Sequence, residues 1–128
     1  MGTEFMGKVD EIIKEIGMSD PHIKGVVLSS IIDAIPVLYR TLDTSSNVLS
    51  DFTSRVVIAY STLRNAVERI ARGQKLDNMT LHMETELLIL KPIKDKYVLV
   101  VRGDKQVNLG LLYLKIKKLT EELEKYIG

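Results

Sequence analysis

Two imidazoles, His22 and His82, and no cysteine are present in the 128-residue sequence. Nucleophilic catalysis needs a Ser, Cys or Lys beside a base, and neither a thiol nor a Gly-x-Ser-x-Gly phrase is available. The histidines are far apart and neither has a second ligand at i+4, the spacing that would place two ligands on one helical face. Glu84 and Glu86 bracket a turn, but no adjacent pattern encloses them as an acid–base pair. Gly73-Gln74-Lys75 lacks the Gly-x-x-x-x-Gly-Lys spacing of a phosphate loop and reads as a helix stop. Together these absences point away from an enzyme and from a bound metal or cofactor.

Two further phrases invite a binding role. Arg102-Gly103-Asp104 matches an adhesion tripeptide, yet it falls where a strand hands over to a helix. Gly103 eases the backbone at the strand exit, and Asp104 or Asn108 can accept amide hydrogen bonds opening the helix. Lys115-Ile116-Lys117-Lys118 could meet phosphates, but it has no interleaved aromatic platform and Glu121, Glu122 and Glu124 follow it, so it reads as a solvated helix face.

The chain as a whole offers no general field for anionic partners. Its 18 Lys and Arg nearly balance 17 Asp and Glu, giving a formal charge of +1, so nucleic-acid binding is not expected. Apolar runs such as Leu87 to Leu90 are far short of the roughly 20 residues that span a bilayer, so direct membrane insertion is not expected. The N-terminus lacks a signal-peptide plan, and the absence of cysteine is compatible with a reducing compartment, so a cytoplasmic location is expected. Residues 1–5, which precede the second methionine Met6, read as a cloning-vector remnant, leaving one domain over residues 6–128.

The elements that must position any surface follow from periodicity. Val9, Ile12, Ile13 and Ile16 define a short amphipathic helix over Lys8 to Ile16, closed by Gly17. Ile23 to Ile31 and Val37 to Leu42 read as strands joined by a turn at Asp33-Ala34-Ile35-Pro36. Thr44, Ser45, Ser46 and Asn47 offer N-caps for a long helix to Arg72, with Leu49, Phe52, Val56, Tyr60, Leu63, Val67 and Ile70 on its core stripe. Three strands follow. Met79 to Glu84 alternates and suits an edge, whereas Leu87 to Leu90 and Tyr97 to Val101 are apolar at consecutive positions and suit the sheet centre. Leu112, Ile116, Leu119, Leu123 and Ile127 mark a last helix.

The back of the long helix is poorly polar. Ser54, Val57, Ile58, Ser61 and Asn65 are small or apolar, and the strand of Met79, Leu81 and Met83 leaves an open edge, so these eight residues are expected to form a two-fold homodimer interface.

Element order and particular phrases resemble the Roadblock (dynein light chain roadblock) family over about Val9 to Tyr126. The most specific portion is "YVLVVRGDKQVNLGLLYLKIKKLTEEL", with Asn108-Leu109-Gly110 opening the C-terminal helix; "GVVLSSIIDAIPVLYRT" and "AVERIARG" add to it. At the strand–turn–strand the family normally has Asp-Gly-Leu-Pro, where this chain has Asp33-Ala34-Ile35-Pro36. The resemblance implies an α+β, roadblock/profilin-like fold: a single five-stranded antiparallel sheet with the long helix on one face and the two terminal helices on the other. It also implies dimers paired through long helices and third strands, and non-catalytic roles as scaffolds or regulators of small Ras-like GTPases, or as dynein light chains.

The favoured expectation is therefore a homodimeric scaffold or regulator of a small Ras-like GTPase, from an archaeon or bacterium. Arg64, Arg69 and Arg72 are its candidate partner contacts, because arginine serves interfaces better than lysine. A motor or cytoskeletal adaptor resembling dynein light chains is the second expectation. A small-molecule sensor is the third; it requires an apolar pocket that no motif announces.

Overall fold

The computed structural model describes residues 3–41 and 46–127. Its elements are α1 (Thr3–Met18), β1 (Ile23–Ser30), β2 (Pro36–Thr41), α2 (Ser46–Ile70), β3 (Met79–His82), β4 (Glu86–Ile93), β5 (Tyr97–Asp104) and α3 (Leu109–Glu124). The strands form one antiparallel sheet in the order β2-β1-β5-β4-β3. The expected N-caps Thr44 and Ser45, and the end of the second strand at Leu42, lie outside the described residues.

Alternation along the three central strands builds two cores. Val26 and Leu28, Leu87 and Ile89, and Leu99 and Val101 point to one face, where they meet Val9, Ile12, Ile13 and Ile16 of α1 and Leu112, Ile116, Leu119 and Leu123 of α3. Val27, Leu88, Leu90, Val98 and Val100 point to the other, where Val57 and Tyr60 of α2 cover them. A strand buried on both faces must be apolar at successive positions, and β4 and β5 are. The expected arrangement of helices about the sheet is the one observed.

Several boundaries differ from expectation. The first helix begins at Thr3, and Phe5 is buried with its ring 5.4 Å from that of Tyr97; residues set aside as a vector remnant thus contribute to the core. The helix also continues past Gly17 to Met18, because glycine tolerates helical angles as well as terminating ones. β3 stops at His82, leaving Met83 in the connection where its N–H donates to the Glu86 carbonyl.

The turn between β1 and β2 places Ala34 at φ 55, a left-handed conformation unusual for a residue with a Cβ. Asp33 Oδ1 accepts the Ile35 N–H, and the Ala34 carbonyl accepts a hydrogen bond from the Ser54 hydroxyl at 2.8 Å, so the turn is held from inside and from α2. At the other end of α2, Gly73 at φ 80 turns the chain and the Glu68 carboxylate accepts the Leu76 N–H, as the helix-stop reading requires.

The Arg-Gly-Asp phrase is absorbed by the fold. Gly103 is buried, and a Cβ there would meet the His22 carbonyl oxygen at 3.1 Å. Asp104 accepts the Gln106 N–H and pairs with His22 Nδ1 at 3.1 Å. Asn108 caps α3 by accepting the Leu111 N–H.

Candidate interaction surfaces

The α2 helix has two apolar faces, and the sheet covers only one. Thr53, Val57 and Tyr60 are buried and Arg64 nearly so, all within one side of the helix. A second line, Phe52, Val56, Ala59, Leu63, Ala66 and Ile70, follows alternating steps of four and three residues, the spacing of a helix–helix seam. Its N-terminal members are half-buried against the sheet cluster, whereas Leu63 is 47% and Ile70 86% exposed. Val67 beside them is exposed as well.

The residues expected to form an interface on α2 are differently placed. Val57 is fully buried against the chain's own sheet, Ser54 is occupied with the Ala34 carbonyl, and the Ser61 hydroxyl is buried. Ile58 and Asn65 are exposed, but they project from the side of the helix that carries Ser54, away from Leu63 and Ile70. The physical reason is a rotation of about 100°, one residue step: when both sides of a helix are apolar, periodicity does not say which one meets the sheet. The side chain of Leu49, expected on the same stripe, lies outside the described residues.

At the sheet edge, Met79 is half-buried beside the α2-side core, and Leu81 and Met83 are exposed. The outer backbone edge of β3 faces no other strand among the described residues. Further down the same sheet face, in phase with Leu88, the Glu86 carboxylate receives Arg102 Nε at 2.8 Å and Nη2 at 3.0 Å, and Lys24 Nζ at 3.1 Å. The Arg102 guanidinium, against the opposing effect of burial and with help from Lys24, holds the Glu86 pKa down to about 2. Sequence reading missed this trio, because its members come from three strands and no short motif links them.

The three candidate arginines separate. Arg64 is only 15% exposed, its Nη1 lies 3.5 Å from Asp95, and its guanidinium lies over the Tyr60 ring at 5.9 Å. Burial raises the pKa of the Tyr60 hydroxyl, and the neighbouring Arg64 charge pulls it partly back. Arg64 is therefore a residue packed beneath its own helix, while Arg69 and Arg72 are exposed.

The two histidines lie apart. His22 ties the α1–β1 connection to the end of β5 through Asp104, and His82 is exposed on the edge strand. Among the described residues no three His, Cys, Asp or Glu side chains gather as metal ligands, and no helix is long and apolar enough to cross a membrane.

No protein-family model matches the sequence, and no curated protein matches it. Solved structures do. A Roadblock/LC7 domain from Streptomyces avermitilis superposes with a TM-score of 0.81 at 19% identity, over 92% of this chain and 96% of that one. MglB of Myxococcus xanthus gives 0.83 at 21% identity, over 98% and 91%. The gliding protein MglB of Thermus thermophilus gives 0.80 at 14%, over 98% and 91%. Matched across nearly the whole length of each, the chain has the Roadblock/LC7 fold.

Proposed function

We propose that the protein is a non-catalytic homodimeric interaction module that docks or regulates a small Ras-like GTPase. The observation that carries the dimer is the seam on α2: Leu63, Val67 and Ile70 are exposed at helix-pairing spacing, beside an unpaired β3 edge. A second copy related by a two-fold axis would cover both at once, helix against helix and β3 against β3, joining the sheets. Soluble chains rarely leave such a contiguous apolar surface uncovered. The seam thus shifts from the expected Ser54, Val57, Ile58, Ser61 and Asn65 to Val56, Ala59, Leu63, Ala66 and Ile70, while Leu81 and Met83 keep their place at its margin.

The GTPase partner is supported by the sequence resemblance to the Roadblock family and by the shared fold with MglB proteins. Arg69 and Arg72, exposed at the end of α2, are the partner contacts. The test is a titration of the purified protein against a Ras-like GTPase encoded beside its gene, loaded with a GTP analogue. Saturable binding that weakens in Arg69→Ala/Arg72→Ala supports the reading. A partner that proves to be cytoskeletal instead would favour the adaptor alternative.

A further inference from the structure

The face of α3 turned away from the sheet carries an apolar ridge that the fold does not use. Leu111 and Leu114 are 63% and 66% exposed, although the helix already buries Leu112, Ile116, Leu119 and Leu123 on its inner side. Shallow grooves of about 390 and 330 Å³ run along the two flanks of Leu114, one toward Ser19 and Asp20, the other toward Asp77, Asn78 and Lys91.

Lysines stand on both flanks of the ridge. Lys115 and Lys118 line the first groove and Lys117 the second. The side chains of Lys117 and Lys118 have no hydrogen-bond or ion-pair partner among the described residues, the Lys117 ammonium acting only at a distance on Asp77. The two carboxylates that line the grooves are already occupied: Asp77 holds Lys91 at 2.7 Å, and Asp20 accepts the backbone N–H groups of His22 and Asn108. Lys115 reaches Glu15 only at 3.7 Å.

Gly110 supplies an independent sign. Gly110 is the second residue of α3, and a Cβ there would meet nothing closer than Asn108 Oδ1 at 3.9 Å. Nothing inside the chain requires the missing side chain, and its absence leaves bare backbone beside Leu111 and Leu114 where a second backbone can approach.

We propose that the outer face of the first half of α3, with Gly110, Leu111 and Leu114 between Lys115 and Lys118 on one flank and Lys117 on the other, docks an acidic amphipathic helix of another protein. The partner helix lays its apolar stripe on the leucine ridge and its carboxylates against the lysines on both flanks. A grooved ridge with a flank on each side suits a helix better than a planar bilayer. This surface lies on the opposite side of the sheet from α2, so it does not rest on the dimer or on the GTPase.

The experiment uses the purified full chain and a labelled helical peptide of about 18 residues, five turns, with leucines at i, i+3, i+4 and i+7 and glutamates on both flanks. A second peptide replaces every glutamate by lysine, and phosphatidylserine vesicles form a third arm. The acidic peptide should bind saturably and less tightly as salt rises, and Leu111→Ser/Leu114→Ser should weaken it roughly tenfold or more. Lys117→Glu/Lys118→Glu should shift preference toward the basic peptide. Gly110→Ala should keep or raise the melting temperature while weakening binding, a combination that a merely structural glycine does not give. Absence of acidic-peptide binding at millimolar concentration, equal affinity for both peptides, or binding to vesicles alone would overturn the proposal.

Discussion

The Glu86 carboxylate on β4 is gripped by the Arg102 guanidinium on β5 through two hydrogen bonds, 2.8 Å to Nε and 3.0 Å to Nη2, with Lys24 of β1 as a third donor. Three adjacent strands are thereby clamped at one end of the sheet. The Glu86 pKa falls from 4.5 to about 2. A carboxylate depressed on folding stabilises the protein above its unfolded pKa, and that stability is lost as pH falls through the folded value. The window is therefore about pH 4.5 down to about pH 2. Glu86→Gln should lower stability at pH 7 by on the order of 1–2 kcal/mol, allowing for partial solvent screening. The gap from the unmodified protein should close toward pH 2, as read by urea unfolding across that range. A gap that stays constant with pH would show that the clamp is not electrostatic.

Phe5 sits in the core against Tyr97, so the N-terminal residues are part of the folded unit. Deleting residues 1–5 should lower stability by about 3–5 kcal/mol, the range for emptying a large aromatic site. Calorimetry showing an unchanged melting temperature would restore the view that the fold starts at Met6.

Arg64 is packed beneath α2 with its Nε and Nη1 lacking hydrogen-bond acceptors. A buried cation so incompletely satisfied contributes little net stability, and an apolar residue of similar length can replace it. Arg64→Met should keep stability within about 1 kcal/mol of the original. A large loss in chemical denaturation would mean that the Asp95 pairing outweighs the desolvation.

Ala34 holds a positive φ with its methyl buried. Ala34→Gly relieves the backbone and forfeits the methyl, effects of similar size near 1 kcal/mol, so stability should change little. Ala34→Val adds β-branching at positive φ and should destabilise by roughly 2 kcal/mol or more. Equal melting temperatures for the Val variant and the original would show that the turn relaxes out of the left-handed region.

Much of this architecture was legible because burial leaves a periodic trace. Consecutive apolar residues at Leu87–Leu90 and Tyr97–Val101 marked strands covered on both faces, and the Ile116-Leu119-Leu123 spacing marked α3. Asn108 announced a cap that the structure contains. What stayed hidden was the rotation of α2, because Val57 and Leu63 are equally apolar and only the sheet decides which is buried. Arg64 was read as a partner contact for the same reason. The Lys24–Glu86–Arg102 clamp depends on strand register, which no local pattern states.

The seam on α2 makes the most direct demand on the molecule. Sedimentation equilibrium at micromolar concentration should give twice the 14.5 kDa chain mass. Leu63→Glu, which places a charge in the seam, should shift the protein to a folded monomer. Ile58→Glu, on the opposite flank of the helix, should leave the dimer intact. A monomeric unmodified protein, or dissociation by Ile58→Glu but not by Leu63→Glu, would contradict the assembly.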